Sequence, residues 1–146
     1  MKYQAGKIGR VLWVRFDAGE DLRVGLLELA EKEGIDRAMV LALGALERGR
    51  LVVGPREAVV PPDPVWVGFA DGREILGLGT LAPGPDGPSL HFHLGAGRGG
   101  EPSLLGCLRD SSEVYLTLEC VVLELSGLTV ARVPDAASGQ NLLSFD

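Results

Sequence analysis

The chain has 146 residues, 46% of them apolar and 23% charged, with a formal net charge of −6. These are the proportions of one ordinary soluble domain with a real core, and the acidic balance argues against a large uniform phosphate-binding surface while leaving a local basic patch open. The opening Met1-Lys2-Tyr3-Gln4-Ala5-Gly6 has no apolar signal segment, and the longest apolar run, 38–46, is far short of a membrane span.

Residues 11–16, Val-Leu-Trp-Val-Arg-Phe, are β-branched and aromatic and read as a strand. Asp17 with Glu20 three residues on has the spacing of a capping box, with Asp in place of Ser or Thr. A helix is predicted over 20–33, because Leu22, Leu26, Leu29 and Ala30 share one face while Arg23, Glu28, Glu31 and Lys32 lie off it. Gly34 suits the left-handed position after the helix, and Ile35 the hydrophobic contact beyond it. The run 38–46 reads as a buried strand interrupted by Gly44, and Gly49 allows a turn into a second strand, 50–53. Four prolines within 54–64 predict a loop or a ragged edge. A short strand over 65–69 then meets Asp71-Gly72, a strong hairpin signal, and a strand over 74–81 follows. The segment 82–88, Ala-Pro-Gly-Pro-Asp-Gly-Pro, is a turn. A strand over 89–94, a glycine-rich loop over 95–100, a long strand over 114–125 and a last strand over 128–133 complete the order.

The sum is a single α/β (α+β) domain over 1–146, with its core about 8–133 and a weakly ordered tail, 134–146. About seven strands follow one another through turns, so the curved sheet should be largely antiparallel, with one main helix. One helix cannot cover both faces of such a sheet. The other face must curl upon itself or meet another subunit.

The only two histidines, His91 and His93, stand two apart in the 89–94 strand. Side chains i and i+2 of a strand leave the same face, so both imidazoles enter one space. That suits a shared metal ion or a shared small ligand. Cys107 follows fourteen residues beyond His93 and is the candidate third ligand. Read from the residues alone, two hydrogen-bonded strand histidines beside an inert buried thiol remain the alternative. Cys120 has the parity of Val114, Leu116, Leu118 and Val122 in the long strand and is expected in the core. Two cysteines and no signal segment suit a reduced, cytoplasmic protein rather than a disulfide framework.

Several stretches occur together in a telling order. They are Gly19-Glu20-Asp21-Leu22 with Ala30 through Gly34-Ile35, then Gly44-Ala45-Leu46, then Glu74-Ile75-Leu76-Gly77-Leu78-Gly79-Thr80. The His-x-His strand with its glycine-rich loop, Leu105-Gly106-Cys107-Leu108 and Glu113-Val114 follow. Over roughly 8–125 the chain resembles the plant and prokaryote conserved (PPC) domain, as a stand-alone prokaryotic member. The resemblance implies a compact α/β domain assembling as a homotrimer. In plants that domain accompanies AT-hook DNA-binding segments and mediates protein contacts; prokaryotic members are described as candidate DNA-binding proteins. The fold also resembles a domain of acetolactate decarboxylase, a metal enzyme with histidine ligands.

Cys107 stands where the family carries its third histidine. Two imidazoles and a thiolate are an acceptable zinc set, with a fourth position for water or substrate. Glu74 matches an acidic position of the family and is a candidate general base, or a carboxylate orienting a ligand histidine; the alternative is a strand-end charge. Arg98, in the loop after the histidine strand, is a candidate for an anionic ligand, and a solvated loop arginine is the alternative. Arg48-Gly49-Arg50 lacks the proline of an AT-hook core, since Leu51 follows, and it is no free minor-groove arm. The 95–100 loop opens no helix and is not a dinucleotide fingerprint. The expectation is a DNA-associated or regulatory interaction module with a zinc or small-ligand site at the His-x-His strand. The alternative is a metal-dependent enzyme on a small carboxylate or keto acid. Expected partners are further copies of itself, DNA or a DNA-binding protein, and a small molecule, but no membrane.

Overall fold

The computed structural model describes residues 1–145. Along the chain run β1 (Lys7–Asp17), α1 (Leu22–Glu33), β2 (Ala38–Pro55), β3 (Pro64–Phe69), β4 (Arg73–Gly84), β5 (Gly87–Gly97), β6 (Leu104–Ser126), β7 (Ala131–Asp135) and β8 (Gln140–Ser144). The first six strands form one antiparallel sheet and β7 and β8 a small second one. The predicted class, a mostly antiparallel curved sheet with one helix, is what the chain adopts.

The sheet curls on itself. β2 pairs with β6 along one edge and with β4 along the other, and β5 bridges β4 to β6. These four strands therefore close a ring, and β1 extends it along β6. Closure needs sharp bends. At one of them Leu116 and Thr117 bulge out of β6 opposite the Gly44–Ala45 step of β2. Gly44 holds φ +137° there, and a Cβ on it would overlap the Leu118 backbone. Leu116 takes φ 59°, a left-handed conformation uncommon for leucine.

The inner face carries the core. Phe92, Leu94, Val40, Ala42, Leu118 and Val122 pack beneath Leu22, Leu26 and Ala30 of α1. The helix starts at Leu22, two residues later than predicted, and its cap is not Asp17, the first residue of the capping-box spacing. Asp21 is the cap, its Oδ1 accepting from the Val24 N–H at 2.9 Å, while Glu20 reaches back to the Asp17 N–H at 2.7 Å in the preceding turn. Asp21 also ties α1 to β6, because the fully buried Ser112 donates to it through both N–H and Oγ. At the other end Gly34 sits at φ 63°, and the Ile35 side chain is buried in the core, both as predicted, while the Ile35 N–H closes onto Ala30 O at 2.8 Å.

Two turn expectations are corrected. Gly49 does not end a strand: β2 continues through it, and its missing side chain makes room for the Phe69 ring. Asp71-Gly72 makes no hairpin either. β3 and β4 run in the same direction along one edge of β2, with Phe69 opposite Gly49 and Arg73 opposite Leu46. The dipeptide is a bulge between collinear strands, with Gly72 at φ 68° and its N–H on Glu47 O. The segment beyond Pro134 is also more regular than its sequence suggests, for it returns as β8. Asp135 organises that turn by accepting from the N–H and Oγ of Ser138, and Gly139 supplies a positive φ.

Candidate metal centre

Phe92 decides where the histidines point. Its ring is buried on the inner face, so His91 and His93 on either side must leave the outer face. The ring lies against Gly77 and Gly79 of β4, where any Cβ would overlap it. The Gly77-Leu78-Gly79 spacing is thus the floor on which Phe92 rests. Thr80 and Leu78, the outward residues of β4, pair across with His91 and His93. On the opposite edge of β5, Cys107 of β6 is the register partner of His93. Gly106 beside it lets β6 close onto β2, since a Cβ there would strike Val52 O.

The three side chains converge. Single donor atoms of His91, His93 and Cys107 lie within 4.8 Å of one another. The two Nε2 atoms face each other at 3.0 Å, with the rings edge to face. Ligands around a tetrahedral zinc stand about 3.4 Å apart at bond lengths near 2.1 Å, so the trio fits such an ion after small rotations. Two imidazoles and a thiolate are also the right donor chemistry for it. The histidines are exposed and Cys107 is buried, which leaves one side of the cluster open. That side faces a cavity of about 640 Å³ walled by Val52, Pro55, Pro62, Trp66 and Leu105.

Charge at the site is positive. Partial desolvation of the otherwise exposed His91 ring holds its pKa below the ordinary histidine value, and the fields of Arg132, His93 and Arg109 act in the same direction. Burial raises the Cys107 thiol despite those arginines, which favour its thiolate. Cys120, in the core, is pushed up to about 12 by burial and takes no part.

The other candidates lie elsewhere. Glu74 is on the same outer face but pairs with Gly97 at the far end of β4, six residues from the partner of His91. Arg98 bonds Asp71 at 3.4 Å. Neither lines the cavity. The residues that do approach the histidines are Arg109 and Arg132. Arg109 was legible, being two positions beyond Cys107 on the same strand face. Arg132 was not, because only the docking of the β7–β8 hairpin brings it to Thr80, whose Oγ1 accepts from it at 2.8 Å.

No curated protein sequence matches the chain. Solved structures do. A metal-containing protein from Archaeoglobus fulgidus is 29% identical, with a TM-score of 0.87 over 99% of each chain. A plant- and prokaryote-conserved protein from Pyrococcus horikoshii is 21% identical, with a TM-score of 0.85 over 99% of this chain and 97% of that one. A candidate DNA-binding protein from Bacteroides thetaiotaomicron is 22% identical, with a TM-score of 0.79 over 97% and 96%. The profile of the Plants and Prokaryotes Conserved (PCC) domain matches residues 3–126. With the ring-closed sheet, the single helix and that match along most of its length, the chain belongs to the PCC domain family.

Proposed function

We propose that this PCC domain is a metal-binding interaction module. His91, His93 and Cys107 hold one zinc-like ion and leave its fourth position open to a small ligand. The convergence of three donors from two strands at the mouth of a cavity carries this reading. The metal-containing relative at 29% identity agrees with it. When bound, the ion would supply a Lewis acid to a ligand in that cavity. The chain's own residues supply its geometry: Phe92 aims the histidines, and the β5–β6 register brings Cys107 beside them.

The domain acts as an assembly of copies, a homotrimer on the resemblance. Trp13, Leu41, Leu43, Leu76, Leu78 and Leu105 are exposed on the outer face of the sheet, and of these Leu78 and Leu105 border the histidines. The two buried free thiols suit a reducing cytoplasm. Direct binding to duplex DNA is not part of the reading. The chain is acidic, and Arg10, Arg15, Arg48, Arg50, Arg56 and Arg98 each pair with a carboxylate. Among the described residues no carboxylate lines the cavity, so Glu74 is not positioned there as a general base.

Cobalt(II) reports the donor set directly. Titrated into metal-stripped protein, it should give a thiolate-to-metal absorption in the near ultraviolet that Cys107→Ser abolishes. The same absorption in both proteins would remove Cys107 from the site.

A further inference from the structure

Arg132 is placed unlike the other buried arginine. Arg73, 8% exposed, is clamped by both oxygens of Asp71 at 2.8 Å, with Glu101 and Pro102 O beside it. Arg132, 9% exposed, has one side-chain bond among the described residues, from Nη2 to the neutral Thr80 hydroxyl. Its Nε is buried with no acceptor. A buried guanidinium without a counter-charge is costly, and proteins seldom leave one so. Arg109 likewise forms no ion pair among the described residues.

Both arginines line a second cavity, of about 580 Å³, beneath the β7–β8 hairpin. Its remaining polar walls include Ser89, His91, Gln140 and Asn141. It meets the first cavity at His91, Arg109 and Gln140, which line both. Among the described residues no carboxylate lines either one, although the chain has 20 acidic residues against 14 basic ones. The charge is thus unbalanced where a ligand can enter. A zinc ion on two neutral imidazoles and one thiolate would add a further positive charge.

We propose that Arg132 and Arg109 form an oxyanion subsite, so that the small ligand of this domain is a carboxylate or a phosphate bound beside His91. The guanidinium of Arg132 offers a planar fork for two oxygens, and Arg109 adds a second charge from β6. The anion's other end reaches past His91 toward the open position of the ion; only this last part rests on the proposed metal centre.

The test is calorimetric titration of inorganic phosphate, acetate and neutral acetamide into untagged protein, metal-stripped and zinc-loaded. Stripped protein should bind phosphate or acetate saturably, one per chain, and ignore acetamide; which anion binds tighter identifies the ligand class. Arg132→Gln and Arg109→Gln should each weaken that binding about tenfold or more, the loss of a charge-assisted hydrogen bond. Arg109 is exposed, so its variant decides the matter if Arg132→Gln does not fold. Zinc loading should tighten the anion at least severalfold. No saturable anion binding in either form, or unchanged binding in a folded variant, overturns the subsite. Equal affinity with and without zinc overturns the reach to the ion. A chain that takes up no zinc yet binds the anion through Arg109 leaves the subsite standing and removes the metal centre alone.

Discussion

A single inward side chain in a strand fixes the direction of both its neighbours, and each histidine here inherits its position from Phe92. His91 also inherits an environment. Burial first, and then the arginine charges, hold its pKa below the usual value. A folded pKa below the unfolded one means that the unfolded state takes the proton first. In metal-free protein the fold is therefore fully supported by neutral His91 above about pH 6.5, and loses that support as pH falls below it. The urea midpoint should drop between pH 7.5 and 5.5, and His91→Gln should make the drop smaller. An identical drop in the variant would show that His91 is not depressed. The same depression would favour a metal ion on His91, because a metal needs neutral imidazoles.

Strand pairing turns these single residues into a site. Gly77 and Gly79 of β4 hold no side chain, and Phe92 of β5 fills the space above them. Gly79→Ala forces the ring off that floor. The overpacking should cost about 1–3 kcal/mol in urea unfolding and should weaken zinc uptake together with stability. Full stability with normal zinc binding would contradict this account of Phe92. Much of this level was legible in the sequence. Parity alone put His91 and His93 on one face, and the family order pointed to Cys107. What parity cannot give is which strands adjoin. Asp71-Gly72 has hairpin chemistry, yet β2 is long enough to take β3 and β4 in line, so the dipeptide became a bulge. Arg132 was illegible for the same reason. Its place depends on where a separate hairpin docks, which no local pattern encodes.

At the scale of the molecule, closing the ring buries one face and leaves the other partly apolar. Leu41 lies opposite Leu78, Leu43 opposite Leu76, and Leu78 is also the partner of His93. A contiguous exposed patch of this kind marks an association surface. Leu41→Glu with Leu78→Glu should lower the mass measured by light scattering toward that of one chain, with the far-ultraviolet circular dichroism unchanged. An unchanged assembly would place the contact elsewhere. The candidate metal centre borders this face, since Leu78 is the partner of His93, so a second copy docked here would share a margin with the site. The proposed roles of His91, His93 and Cys107 all depend on an ion held between them. The most direct measurement is therefore metal per chain by elemental analysis, on untagged wild type and on His93→Ala and Cys107→Ser. The account predicts close to one zinc per wild-type chain after zinc addition and gel filtration, and a marked loss in both variants. Protein that retains no zinc, or variants that retain as much as wild type, would contradict it.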